Sequence, residues 1–570
     1  ADGDGDGANN LPPTDRPWLY PLIGVIVGGL ASAIPIAIGM GRPDLFPQTW
    51  DAVFHLNAVR YILDSGQAST LTLNAIASDH GAPGLYPAAW HGIIALSTIR
   101  SVLPATNAMV LALAGIIWPA GLAAFALALT PRRPWLALIA PILGAGMFSF
   151  PTRLITWGTL WPNALSYSLI PAVTACTLMA VKPARNAAHK TAWILAAGIG
   201  LGGIAFAQPS GLLIYAIIVT PALAAAVMTA VRANRGSGRI IPAVTLLAWL
   251  AAWAGVYHLF VDQLGGTAWQ GDLGFIAGVG GAVADGFLDS IANIALLALL
   301  TVGCLTALLT RGRRWLLVSL AAILLLNGLS QQVTPLSWLI QPWFADPMRL
   351  LAAVPIIAVT VMAVGVDAAV EQAIRWLQGR QQRTASSTGC WIRPAALSIT
   401  LALIAAATLG LQAGRRYERV NDMYVGQTRE NLLDQIASLP EIEMLERLGG
   451  PQADTPLTAG RRILGSPFSG AALAYAIANV PVVFPHFAGQ WSADARFIAS
   501  NFDQIHDNPD VCAALDRLDV GYFYVDWDRF FPDSPARENF AALDLFPQQP
   551  GFDLVDAGGS ARLYRITACG

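Results

Sequence analysis

Asp51 and His55 stand four residues apart in TWDAVFHLNAVRYILDSG (49–66), a spacing that puts both on one face of a helix. Asp79 and His80 follow in ASDHGAPGLYPAAWH (77–91), which ends on His91. A carboxylate in such company can take a proton from an attacking hydroxyl, and an imidazole can orient it. The set Asp51, Asp79 and His80 could instead hold a divalent metal, with His55 and His91 near, although the spacing matches no known ligand signature. Each residue also has a plainer role. Asp51 is favoured in the first turn of a helix by the dipole, His55 would be a polar-face residue, and Asp79-His80 would be turn residues. Far along the chain, Arg349 in LIQPWFADPMRLLAAVP (339–355) stands at the mouth of an apolar run. A guanidinium there suits a phosphate, or an interfacial ion pair with Asp346. PTRLITWGTLWPNALSYS (151–168) adds Trp157, Trp161, Asn163 and Tyr167, whose rings could stack on sugars or form a membrane-interface belt.

The elements that position these groups are membrane helices. Only 12% of the 570 residues are charged, 55% are apolar and mean hydropathy is positive. A soluble chain carries about 25% charged residues, so an ordinary soluble enzyme and a disordered chain are both excluded. The net charge of −2 provides no basic face for a nucleic acid. Stretches of about 20 apolar residues occur at 18–40, 107–130, 134–150, 159–181, 191–207, 211–231, 240–260, 287–310, 315–330, 350–370 and 394–414, predicting eleven spans. The segment 88–103 is short, follows Pro87 and contains His91 and Arg100, so it is expected to lie on the surface.

Eleven spans with the N-terminus inside leave sixteen basic residues in cytoplasmic loops and five in the external loops of the membrane half, as the positive-inside bias requires. The chain then divides into a disordered cytoplasmic tail (1–16), a membrane domain (17–414) with a first external loop at 41–106, and an extracytoplasmic α/β domain (415–570). That last stretch holds 21 of the 36 acids. Its expected helix is 430–448, and its expected strands are 461–465, 480–484, 520–527, 552–555 and 562–567. Cys512 and Cys569 are the two cysteines of this external part, where a disulfide could form.

Asp51-Ala52-Val53-Phe54-His55 with Arg60-Tyr61, directly after one span, and Leu85-Tyr86-Pro87 opening a second surface helix resemble the first loop of GT-C membrane glycosyltransferases. The loop helix is similar to that of the oligosaccharyltransferase catalytic subunit, and the likeness extends loosely over the whole chain. The Trp-Trp-Asp acceptor motif of that subunit is missing, and no Asp-x-Asp pair lies in the later membrane loops. The resemblance implies that a basic residue near the outer end of a late helix holds the phosphate of a lipid-linked donor, a role that falls to Arg349.

The expected protein is therefore a GT-C-type glycosyltransferase in a bacterial plasma membrane, working by a single displacement that inverts the sugar. Its donor is a polyprenyl-phosphate-linked sugar, because nucleotide sugars are cytosolic and the site faces outward. Its acceptor is a cell-envelope glycan or glycolipid. Arginine outnumbers lysine by 32 to 2, as in high-GC genomes, which turns attention to arabinan and mannan. Asp51 would be the base, with His55, Asp79, His80 and His91 supporting it. No cofactor is implied apart from the divalent metal. The rivals are a transporter or flippase for lipid-linked glycans, which would need ionisable groups along a mid-membrane path, and a non-catalytic envelope assembly protein.

Overall fold

The computed structural model describes residues 16–569 except 83, 100, 183–185, 235, 265–268, 287–291, most of 382–411, 425–434, 450–457, 459, 528–529 and 545–549. The tail to residue 15, Arg100 and most of the expected 394–414 span lie outside the described residues.

In a bilayer every peptide group must be satisfied within the segment, so the long apolar stretches become helices. Among the described residues eight helices are long and apolar enough to cross: Leu19–Met40, Val102–Leu129, Trp161–Val181, Ala187–Ala207, Ser210–Ala233, Ile240–Asp262, Arg311–Leu329 and Pro347–Ala373. Leu136–Gly146 and Ile294–Leu309 are shorter apolar helices. Eight of the first ten expected spans thus have a helix long enough to cross, the second beginning at Val102 instead of 107, while the described helices at 134–150 and 287–310 are shorter than expected. The chain is a polytopic α-helical membrane protein with a small sheet-bearing domain near its C-terminal end.

Two compact units divide the chain. The first comprises Ala1–Ile36, Leu111–Trp157 and Trp161–Tyr417. Its central helix, Val354–Gln381, is wholly buried along its most apolar stretch. That helix meets Ile294–Leu309 where a Cβ on Gly365 would fall 2.5 Å from the backbone nitrogen of Gly303, so the two backbones touch through small residues. Ile240–Asp262 buries none of its apolar window and presents Ile241, Leu247 and Leu259 outward, as a lipid-facing helix does. Near one end of the bundle Arg133 bonds Asp367 at 2.7 Å and also pairs with Glu371.

The second unit comprises Ala37–Val110, Gly158–Leu160 and Glu418–Gly570. The first-loop helix is Trp50–Ser65. Thr49 caps it by accepting the Ala52 amide at 3.3 Å, and Gly66 closes it in the left-handed conformation. Phe54, Ala58 and Ile62, at helical spacing, join Leu73, Ile76 and Ala88 in one apolar cluster. The helix Ala89–Ser97 has nine residues, too few to span a bilayer.

Among the described residues four strands form the sheet: β1 (Arg462–Gly465), β2 (Val520–Val525), β3 (Phe552–Gly558) and β4 (Ala561–Ile566). Their order is β1-β2-β4-β3, with β1 parallel to β2 and the other pairs antiparallel. The expected strand at 480–484 is corrected. Only an isolated bridge joins Val482 to Ile463, and Pro481 removes a donor that a ladder would need. The expected helix at 430–448 is also shorter, covering Leu439–Leu448. Ser438 and Glu441 form its capping box, which fixes the start. Residues 430–434 lie outside the described residues. Cys512 and Cys569 are joined by a disulfide, with Cα atoms 5.4 Å apart.

Candidate active site

Asp51 sits in the first turn of the first-loop helix and is half-buried. The dipole at that end favours a negative side chain. The short segment Gly158–Leu160 lies against it: a Cβ on Gly158 would stand 3.2 Å from Asp51 Oδ2. Gly158 and Thr159 both take positive φ, +59° and +54°, and the Thr159 hydroxyl is 3.0 Å from that of Thr49. The carboxylate is thus bounded by the cap of its own helix and by a tight turn.

One turn further on, His55 Nδ1 lies 2.9 Å from His91 Nε2. Both imidazoles are buried, at 2% and 0% exposure, so His55 is not the solvated polar-face residue that its spacing also allowed. Phe54 and Tyr86 pack around them, with ring centroids 4.4 Å apart. Burial lowers the His91 pKa to about 3, against a smaller raising effect of the Pro87 carbonyl. With His91 neutral, which of its ring nitrogens donates depends on its tautomer.

Asp79 is occupied elsewhere. Its carboxylate accepts the Ser492 backbone amide at 2.7 Å and the Ser492 hydroxyl, and His80 Nδ1 lies 3.1 Å away. Arg462 donates to the Asp79 carbonyl at 3.2 Å. Burial opposes ionisation of Asp79, but the Ser492 and His80 hydrogen bonds outweigh it and hold its pKa below the ordinary carboxylate value. The residue ties the first loop to the sheet domain. Asp51, Asp79 and His80 do not gather as a ligand set, and among the described residues no three His, Cys, Asp or Glu side chains are placed to hold a metal.

In the other unit, Arg349 belongs to the short helix Pro347–Leu351. Asp346 caps that helix through the Met348 amide at 2.8 Å and lies 3.4 Å from Arg349 Nε. Arg349 Nη1 reaches Asn163 Oδ1 at 3.4 Å, and the guanidinium lies over Phe344 at 5.0 Å. Both polar contacts are long, and no described acceptor bonds Nη2, which leaves the fork able to take an oxyanion. Asn163 is thereby brought to Arg349 and not to a sugar-stacking surface. Trp161 and Tyr167 are fully buried, their rings covered by protein, so neither is open for stacking; Trp157 is half-buried.

Two further residues escaped the sequence reading. Asn57 is wholly buried and donates to the carbonyls of Ala472 and Pro485 at 2.9 and 2.8 Å. A lone amide on the apolar side of an amphipathic helix was the available signal. Ser492 had none, because its partner Asp79 is remote in sequence.

Comparison with known proteins adds three findings. A family model described as "Family of unknown function (DUF6541)" matches residues 4–568. No curated protein matches the chain in sequence. Among solved structures, the Archaeoglobus fulgidus oligosaccharyltransferase, tethered to an acceptor peptide containing the NVT sequon, aligns over 90% of this chain and 69% of its own, with 13% identity and a TM-score of 0.52. ArnT from Cupriavidus metallidurans aligns over 97% of this chain and 98% of its own, with 12% identity and a TM-score of 0.50, both apo and bound to undecaprenyl phosphate. At such identities the likeness is one of fold: the chain has the GT-C-type architecture.

Proposed function

The chain belongs to the DUF6541 family, and we propose that it is a membrane glycosyltransferase that moves a sugar from a polyprenyl-phosphate-linked donor to a glycan or glycolipid of the cell envelope. The observation that carries this reading is Asp51. It is a carboxylate in the first turn of a helix that follows the first span, backed one turn later by a buried histidine pair. The shared fold with the two glycosyltransferases supports it.

In the reaction, Asp51 accepts the proton of the acceptor hydroxyl as that oxygen bonds the anomeric carbon. The bond from that carbon to the phosphate oxygen breaks, and the phosphate leaves with the electron pair. Arg349 steadies the charge that collects there. A single displacement inverts the anomeric centre. The His55–His91 pair holds its stretch of helix in place, and Asp79 keeps the loop fixed. The proposed setting is a bacterial plasma membrane, with the N-terminus cytoplasmic and the sheet domain outside. Arabinose and mannose polymers are the first acceptors to try.

The experiment compares wild type with Asp51→Asn in lipid nanodiscs, using radiolabelled polyprenyl-phospho-sugars as donors and envelope glycan fragments as acceptors. Wild type transfers label. Asp51→Asn melts at the same temperature and transfers none. A fully active Asp51→Asn protein would remove Asp51 as the base.

A further inference from the structure

The segment Pro485–Trp491, with sequence PHFAGQW, bears side chains that have no role in the site described so far. It is pinned along its length. The Pro485 carbonyl accepts Asn57 Nδ2 at 2.8 Å, Gln490 N donates to the Ala77 carbonyl at 2.8 Å, and Ser492, just beyond, bonds Asp79. Gly489 is required at the tip. A Cβ there would fall 2.6 Å from the Ala77 carbonyl oxygen and 2.5 Å from the Trp491 ring.

The pinned loop runs beside the Asp51 helix. The His486 and Phe54 ring centroids are 5.7 Å apart, and Phe54 is only ~4.5 Å along the helix axis from Asp51. Phe487 packs on His486 at 4.6 Å and on Phe468 at 5.5 Å, while Trp491 stands edge-on to Phe484 at 5.2 Å. Phe487 and Trp491 are half-buried, and Ala488, Gly489 and Gln490 are exposed. No described residue bonds the Gln490 side-chain amide or the Trp491 indole N–H.

A rigid loop with partly open aromatic rings and available donors suits a sugar, whose C–H face packs on a ring while its hydroxyls meet an amide. The loop carries no Lys or Arg for an anionic lipid surface. Its Gln490 backbone amide is already bonded to Ala77, so it offers no open strand edge to a peptide. We infer that Pro485–Trp491 is the acceptor subsite and binds a glycan, with Phe487 and Trp491 packing on the ring and Gln490 bonding its hydroxyls. The word "acceptor" rests on the transferase reading; the binding does not.

The test uses the full-length protein in nanodiscs, with octyl mannopyranoside and octyl arabinofuranoside as probes read by saturation-transfer NMR. Undecaprenyl phosphate binding serves as the control. Wild type binds at least one glycoside, and Phe487→Ala, Trp491→Ala and Gln490→Ala each weaken it about tenfold, roughly the loss of one good contact. Trp491→Phe, which keeps a ring, retains most of the binding and controls for misfolding. Undecaprenyl phosphate binding is unchanged throughout. Absence of glycoside binding in wild type, or full binding in all three alanine variants, overturns the inference. Loop-dependent glycoside binding without any transfer would sink the transferase reading and leave the subsite standing.

Discussion

The Asp51 carboxylate rests against the backbone of Gly158, so closely that a methyl group on that glycine would stand 3.2 Å from Oδ2. Gly158 also has φ of +59°, where a side chain costs about 1–2 kcal/mol. Gly158→Ala should therefore disturb the carboxylate directly. Transfer is expected to fall by about tenfold, with a melting temperature lowered by a few degrees at most. A Gly158→Ala protein with full activity would show that the contact is not felt in the reaction.

Arg349 meets its neighbours at long range, 3.4 Å to both Asp346 and Asn163. Arg349→Lys keeps the charge but loses the planar fork. Undecaprenyl phosphate binding should weaken by about tenfold, and by more in Arg349→Ala, with glycoside binding unaffected. Asn163→Ala should have a smaller effect in the same direction. Titration with radiolabelled undecaprenyl phosphate decides it.

Asp79 is a structural carboxylate, bonded by the Ser492 amide and hydroxyl. Asp79→Asn keeps the shape but weakens the bonds from Ser492, and should cost about 1–3 kcal/mol of stability. Because the folded state holds the Asp79 pKa below its ordinary value, its contribution is present above that value and fades as acid protonates it. The difference in melting temperature between wild type and Asp79→Asn should shrink toward pH ~3. A constant difference would count against this account.

Glu441 behaves in the opposite sense. It is fully buried, it accepts the Tyr524 hydroxyl at 2.8 Å, and burial followed by the Asp526 carboxylate raises its pKa well above the ordinary carboxylate range. The Ser438 amide donates to the same carboxylate, and Ser560 bonds Asp526 at 2.7 Å. Protonated Glu441 stabilises the fold, so this contribution is complete in acid and is lost as pH rises through the raised value. Glu441→Gln should melt no lower than wild type at pH ~8 and below it at pH ~4. Thermal scans across that range provide the check.

His91 titrates far below neutrality, at about 3. The unfolded chain takes up a proton near pH 6.5 and the folded one does not, so stability falls as pH drops from about 6.5 toward 3. His91→Gln, which cannot charge, should flatten that slope while keeping a hydrogen bond to His55. Equal slopes in the two proteins would rule out a His91 held neutral by burial.

What the sequence disclosed depended on range. The first-loop helix was legible because its signals are local: apolar residues recur at helical spacing and Ser65-Gly66 ends it. The spans were legible because a bilayer reads composition. Cys512 and Cys569 stood out by elimination. The partners of Asp79 and His55 were not legible, since Ser492 and His91 are brought to them by tertiary folding alone. Trp161 misled for another reason: an aromatic ring at a membrane boundary has the same local signature whether it meets water, lipid or the packed bundle that in fact covers it. The strand expected at 480–484 failed because its apolar run hid the effect of Pro481.

The sheet-bearing unit is assembled from three stretches of chain, Ala37–Val110, Gly158–Leu160 and Glu418–Gly570, separated in sequence by most of the membrane helices. Its first stretch leaves the ribosome long before the third exists, and Asn57 and Asp79 must wait for Pro485 and Ser492. Biogenesis therefore closes this unit last, after the helices are inserted. Excising residues 418–570 as a soluble fragment would strip the sheet domain of the helix it is built upon.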